Sequence, residues 1–178
     1  NGTSALAQIA VARSAWARGN CPRATAFARR AIESNPLEPD TLGLAGSLLM
    51  ACGDYPGAEP VLERASALNE QPGGYQISSL VITRVINGKR PEALQLALSA
   101  EKPELETQPN FLLARALALA ANGRVAEGRA DWRALEKLVG APSGAPASDV
   151  LARFTISPFF ARRMQAEAEA TGLVPSAG

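Results

Sequence analysis

Apolar side chains recur three and four residues apart through most of this chain, in stretches separated by glycine, proline and asparagine. Ala24, Phe27, Ala28 and Ala31 show the spacing, which places apolar groups along one face of a helix. Helix is the only interpretation that fits the pattern from end to end. It predicts eight helices, near residues 4–18, 22–34, 39–52, 56–68, 74–87, 91–101, 109–122 and 126–139.

The predicted helices are separated at regular intervals by a glycine. These glycines are spaced 34, 35 and 35 residues apart, at Gly19, Gly53, Gly88 and Gly123. Glycine enters the left-handed conformation of a helix C-terminal cap at little cost, so each one marks a helix end. Three of the four are followed three residues later by a proline, which suits the first turn of a new helix. A period of this length is typical of stacked helical hairpins.

Small residues recur at matching positions inside these units. They are Ala12, Gly46 and Ala116 midway along first helices, and Ala31, Ala65 and Ala100 near the ends of second helices. On these residues the chain resembles the tetratricopeptide-repeat family, although Val81 and Leu135 depart from the pattern. The resemblance implies an all-α fold, a right-handed α-α superhelix of four helical hairpins with C-terminal capping helices. The implied repeats cover about 5–38, 39–73, 74–108 and 109–139.

In the family, the first helix of each hairpin lines a concave groove that binds a partner. The resemblance therefore implies a groove with a defined set of lining residues. They are Leu6, Ile9, Arg13 and Trp16; Asp40, Gly43, Ser47 and Met50; Tyr75, Ser78, Ile82 and Ile86; and Asn110, Leu113, Leu117 and Ala121. Twelve of them, all but Leu6, Asp40, Gly43 and Ala121, are predicted to contact the partner. The paired lysine and asparagine residues with which relatives hold a peptide carboxylate are absent. We expect an apolar groove, with Arg13 as its cation, that binds a partner helix or peptide.

The C-terminal segment is predicted to form its own helical unit. A linker over residues 140–147, rich in glycine, proline and alanine, precedes a cap and tail over 148–178. Ser157 and Pro158 suit a helix start, so a helix is predicted from about Phe159 to Thr171, ending at Gly172. The sequence leaves two interpretations. The segment either covers the open end of the last repeat or occupies the groove and regulates access to it.

The two cysteines also leave two interpretations. Cys21 begins the second helix of the first repeat, and Cys52 ends the first helix of the second repeat. These helices are neighbours in a stack of hairpins, so a disulfide is within reach; alternatively, both thiols are small buried groups. Free thiols would fit the cytoplasm, which is the predicted location. A disulfide would instead indicate the periplasm or another oxidising compartment.

Composition and charge narrow the function classes. The 178 residues are 47% hydrophobic and 20% charged, with a net charge of +1, and they carry neither a dense basic face nor a membrane-length apolar run. We therefore expect no nucleic-acid binding and no membrane span in this segment. Histidine is absent, which excludes histidine ligands and histidine bases. The string Ser99-Ala100-Glu101-Lys102 lacks its companion motifs, so no enzyme activity and no cofactor are predicted.

Three strings give a narrower resemblance. Residues 69–75, 88–94 and 154–158 look like the C-terminal repeat region of bacterial signalling proteins. Those proteins join tetratricopeptide repeats to a winged-helix or a class III adenylyl cyclase domain. The chain also begins at Asn1 rather than methionine, so we expect a piece of such a protein. The predicted function is a protein-interaction scaffold; the alternatives are self-association and small-molecule sensing through Arg13, Trp16 and Tyr75.

Overall fold

A computed structural model describes residues 4–100, 103–155 and 157–176. Glu101 and Lys102 of the serine-x-x-lysine string, and Ile156 of the 154–158 string, lie outside the described residues. The described parts contain ten α-helices and no strand, which confirms the all-α prediction. The helices are α1 Ala5–Ala17, α2 Cys21–Ser34, α3 Pro39–Ala51, α4 Tyr55–Leu68, α5 Gly74–Ile86, α6 Arg90–Ser99, α7 Pro109–Ala121, α8 Val125–Leu138, α9 Ala147–Ala152 and α10 Pro158–Ala170.

The first eight helices have bounds within two residues of those predicted. The reason is visible at the corners between α1 and α2, α3 and α4, α5 and α6, and α7 and α8. Each corner glycine has a positive φ, at 73°, 88°, 82° and 79° for Gly19, Gly53, Gly88 and Gly123. The residue after each glycine donates its backbone N–H to the carbonyl five positions earlier, at 2.8–2.9 Å. This bond is the helix-ending arrangement that a left-handed residue allows.

The helices stack in sequence as antiparallel pairs. Each of α1, α3, α5 and α7 packs against its own partner helix, and α1, α3 and α5 also pack against the next helix of this set. Small residues allow the close approach: Ala24, Ala58 and Ala93, each early in a second helix, are fully buried. At the matching position in α8, a β-carbon on Gly128 would lie 2.8 Å from the carbonyl oxygen of Ala116. Backbone therefore meets backbone there, because no side chain intervenes.

The last two helices follow a connection that carries left-handed glycines at Gly140 and Gly144. Helix α10 begins where the sequence predicts, because the Ser157 hydroxyl accepts a hydrogen bond of 3.2 Å from the Phe160 backbone N–H. It ends two residues before Gly172, which has a φ of 71°. Its start and end are therefore fixed by local sequence.

Candidate binding groove

Helix α10 runs across the inner side of the stack, from the corner after α3 to the start of α8. At one end the Phe159 ring lies against Gly53, where a β-carbon would be 3.1 Å from the ring. At the other end, Leu173 lies against Gly128. Arg129 Nη2 on α8 also donates a 2.9 Å hydrogen bond to the Gly172 carbonyl. The tail helix is thus held at one end by the corner at Gly53 and at the other end by α8.

One face of α10 is buried, and its residues recur every four positions. Phe160, Met164 and Ala168 on this face are 6%, 0% and 0% exposed. Beside it, the guanidinium carbon of Arg163 lies 5.7 Å from the centre of the Tyr55 ring. Burial raises the pKa of the Tyr55 hydroxyl, and the positive charge of Arg163 opposes that rise. A helix with apolar anchors four residues apart is the form in which amphipathic segments occupy grooves.

The tail also contacts the last repeat. A second cavity lies between α8 and the residues that flank and form the tail helix. Arg129 and Trp132 line it from α8, and Gln165 and Leu173 line it from the tail. The tail therefore contacts both α8 and the inner wall, and its role as a cap or as a regulator of access stays a prediction.

The part of the inner wall that α10 does not cover forms an open pocket of about 500 Å³. Its walls come from α1, α3, α5 and the start of α7, and from the start of α10 with the chain that precedes it. The lining residues are Arg13, Trp16, Leu44, Ser47, Leu48, Met50, Ala51, Tyr75, Ser78, Ser79, Ile82, Asn110, Phe154, Thr155 and Phe160.

The structure brings together eight of the twelve residues predicted to contact a partner. These are Arg13, Trp16, Ser47, Met50, Tyr75, Ser78, Ile82 and Asn110. The other four do not line the pocket: Ile9 is 3% exposed, Leu113 and Leu117 are fully buried, and Ile86 packs half-buried against the core. Leu113 and Leu117 belong to the same buried cluster as Phe160 and Met164, so α10 and the stack leave them no exposed surface.

Sequence reasoning missed the tail's share of the pocket. Phe154, Thr155 and Phe160 line it although they follow the four repeats in sequence. The amphipathic pattern of the tail indicated that it packs somewhere, but the pattern carries no information on where. Leu44, Leu48, Ala51 and Ser79 were missed because they stand one position from residues predicted to line the groove, and a wide pocket exposes more of each helix.

Two polar groups stand out on the pocket wall. Arg13 is exposed, and no carboxylate of the described residues pairs with it. The indole nitrogen of Trp16 is buried and finds no hydrogen-bond acceptor in the described part of the chain. Deeper in the pocket, the Ser47 and Ser79 hydroxyls are 2.8 Å apart and joined by a hydrogen bond. On the far side, burial raises the pKa of the Tyr75 hydroxyl, and the charges of Asp40 and Glu38 raise it further.

The junction of α3 and α5 depends on a buried amide. Gln76 is 1% exposed. Its Nε2 donates to the Pro39 carbonyl at 3.1 Å, and its Oε1 accepts from the Gly73 N–H at 3.1 Å. The side chain lies over Gly43, where a β-carbon would overlap the amide group. Glycine at this inner-wall position therefore makes room for the amide that ties two leading helices together.

Cys21 and Cys52 are joined by a disulfide, with Cα atoms 5.3 Å apart. The bridge connects the start of α2 to the residue that follows α3, so it crosses from the first hairpin to the second. An ion pair of 2.6 Å between Arg29 and Asp54 lies close by in the sequence and links the same two hairpins. Gly53, which contacts the tail helix, lies between these two links.

Comparisons with known proteins bear on the fold. No family model matches the sequence, and no curated protein matches it. Among solved structures, the chain is similar to YrrB, described as a TPR protein with an unusual peptide-binding site. The two share 19% sequence identity with a TM-score of 0.58, over 94% of this chain and 86% of YrrB.

The chain has the tetratricopeptide-repeat fold. The corner glycines predicted from the sequence have positive φ angles in the structure, and the first helices of successive hairpins pack against one another. Within the described residues of this repeat protein, no cluster of acidic or cysteine side chains has the form of a metal site. None of its described helices combines the length and apolarity that a membrane crossing requires.

Proposed function

We propose that this chain is a non-catalytic protein-interaction scaffold that binds a partner peptide in the open part of its groove. The observation that carries the proposal is the helix already lying against the inner wall. Helix α10 buries Phe160, Met164 and Ala168 there, so the wall accepts apolar anchors. The pocket beside it presents the same wall without a covering helix.

Within this proposal, the four repeats form the binding solenoid and the tail beyond residue 147 sets how much of the groove is open. YrrB, which has the same fold, is described as carrying a peptide-binding site. The solenoid would serve as the recruiting module of a larger bacterial signalling or regulatory protein. Its catalytic or DNA-binding work would then belong to other segments of that protein.

A peptide library displayed on phage and selected against the full oxidised chain tests the proposal. The matched pair of variants is Ser47→Phe, which places a ring in the pocket, and Ser99→Phe, which places one on an exposed position of α6. Selected peptides should lose at least about tenfold in affinity for the Ser47 variant. Affinity for the Ser99 variant should be unchanged. Failure to enrich any peptide, or equal binding to both variants, would remove the proposal.

Self-association is the competing use of the same wall. Light scattering over a range of concentrations separates the two. A monomer at all concentrations supports binding of a different partner. A dimer that dissociates in the Ser47→Phe variant would show that a second copy fills the groove.

We also propose that the chain operates in an oxidising compartment, in place of the cytoplasm predicted from the sequence. The disulfide between Cys21 and Cys52 supports this, because such bridges persist in the periplasm or outside the cell and are rare in the cytoplasm. Acid-quenched thiol labelling of the protein taken directly from its own cells is the test. Labelling of both thiols would instead support the cytoplasmic location.

A further inference from the structure

We propose that the open pocket is a binding site for a small planar aromatic carboxylate. The proposal goes beyond peptide binding and stands on the pocket's own lining, so the two can fail separately. It rests on three observations, which concern the aromatic rings around the pocket, its size and its exposed arginine.

The aromatic residues of the chain are concentrated at this site. The protein has only nine, of which five are Phe, two are Tyr and two are Trp. Trp16, Tyr75, Phe154 and Phe160 all line the pocket. They come from α1, from α5 and from the tail, so rings approach the pocket from both of its walls. Offset or edge-to-face contacts with a planar ligand are available from each of these directions.

The size of the pocket fits a small molecule. Cavities of about 300–1,000 Å³ are typical of small-molecule sites, and this one measures about 500 Å³.

An exposed cation defines the charge of the ligand. Arg13 and Trp16 stand three residues apart on α1, and such residues share a face of the helix. Arg13 contributes a guanidinium group without a carboxylate partner among the described residues. Trp16 contributes its ring, because its indole nitrogen is buried and out of reach of a ligand. A ligand carboxylate beside Arg13 would give that cation a charge-assisted hydrogen bond.

The residues across the pocket from α1 set the orientation of the bound ligand. Asp40 and Glu38 act on Tyr75 with negative charge, which disfavours an anion at that side. The ligand carboxylate therefore points to α1, and the ring points to Tyr75 and the tail phenylalanines. A molecule bound in this orientation touches both α1 and the tail, so it also holds the tail helix in place.

The test is isothermal titration calorimetry of the full oxidised chain with three probes. Indole-3-acetate has the ring and the charge, indole-3-acetamide lacks the charge, and cyclohexylacetate lacks the aromatic ring. The acetate should bind saturably, and each of the other two should bind about tenfold more weakly. Arg13→Gln should remove the preference for acid over amide. Arg18→Gln changes an exposed arginine at the end of α1 that does not line the pocket, and it should retain the preference.

Fluorescence gives an independent readout, because the chain has only Trp16 and Trp132 as indoles. Indole-free phenylacetate should change the emission of the wild-type chain, and Trp16→Phe should abolish that change. Absence of saturable binding by every aromatic acid up to about 5 mM would overturn the proposal. So would equal affinity for acid and amide, or an unchanged preference in Arg13→Gln. None of these results bears on peptides selected through Ser47, so the scaffold function is judged separately.

Discussion

Cys21 and Cys52 lie 31 residues apart in sequence and are bridged with their Cα atoms 5.3 Å apart, at the boundary between the first and second hairpins. A solenoid has few contacts between distant repeats, so its terminal repeat is the one most easily lost. The bridge ties that repeat to its neighbour covalently. It also stands next to Gly53, where Phe159 of the tail helix packs.

Removing this bridge should lower the free energy of unfolding. For a loop of this length the chain-entropy model gives about 3 to 4 kcal/mol, with native strain able to reduce it. The variant is Cys21→Ala with Cys52→Ala, and urea unfolding at neutral pH measures the change. Reductant should bring the wild-type curve to that of the variant and leave the variant unchanged. If reductant left the wild-type unfolding curve unchanged, the bridge would not have the stabilising role assigned to it.

Gly43→Ala should destabilise the junction of α3 and α5. The new methyl group overlaps the Gln76 amide, which must leave the Pro39 carbonyl and the Gly73 N–H that it now bonds. Leaving these buried groups unpaired costs about 1–3 kcal/mol.

A double-mutant cycle in urea checks the cause of that loss. Once Gln76 is truncated to Ala, no amide remains to clash, so Gly43→Ala should cost much less in that background. Costs that simply add would show that the two positions do not interact.

Glu59→Gln should destabilise the protein at neutral pH and less so in acid. Burial by itself raises the pKa of the Glu59 carboxyl. Hydrogen bonds from Lys89 and Asn87, both at 2.8 Å, together with nearby positive charge, lower it by more, so the net pKa is lowered. A lowered pKa in the folded state means that the ionised carboxylate stabilises the fold fully above the unfolded value. That stabilisation is lost as the pH falls through the folded value.

We expect a loss of about 1–3 kcal/mol at pH 7, because the buried acceptor loses the charge that strengthens its hydrogen bonds. The difference from wild type should shrink below about pH 4, near the ordinary value for glutamate. Urea unfolding at several pH values measures both. The matched control is Glu63→Gln, an exposed partner of Arg84, which should change stability by less than about 1 kcal/mol. A Glu59 effect independent of pH would exclude this electrostatic explanation.

Met164→Ala should loosen the tail helix. Met164 is fully buried on the inward face of α10, and truncating such a side chain costs about 2–5 kcal/mol. Limited trypsin digestion should cut after Arg153 faster than in wild type, because α9 and α10 pack against each other. Arg162→Ala, exposed on the same helix, is the control and should leave that cleavage rate unchanged. Equal rates in both variants would mean that Met164 does not hold the tail.

The repeat architecture could be predicted because its determinants are local. Gly19, Gly53, Gly88 and Gly123 end helices through their own backbone freedom, and the capping residue Ser157 starts α10 through its own hydroxyl. Such signals act within a few residues, so they can be read in order along a sequence. The groove residues were implied by the family resemblance, and eight of the twelve line one pocket.

The position of the tail could not be predicted in the same way. Phe160 and Met164 define an apolar face, but any apolar surface of sufficient size satisfies such a face. Only the folded stack decides that this face covers the wall near Leu113 and Leu117 and leaves Arg13 and Trp16 accessible. The pairing of Cys21 with Cys52 was likewise left open, because it depends on how closely two hairpins approach.

By itself, the sequence determined the helices, their corners and the order in which hairpins follow one another, because backbone conformation and capping are settled within one or two turns. The tertiary structure alone decided which surfaces are covered. Burial of apolar area is non-directional and acts between residues distant in sequence, so the same tail pattern is compatible with several docking positions. The pocket between α1 and the tail forms because the tail docks where Phe154, Thr155 and Phe160 face α1.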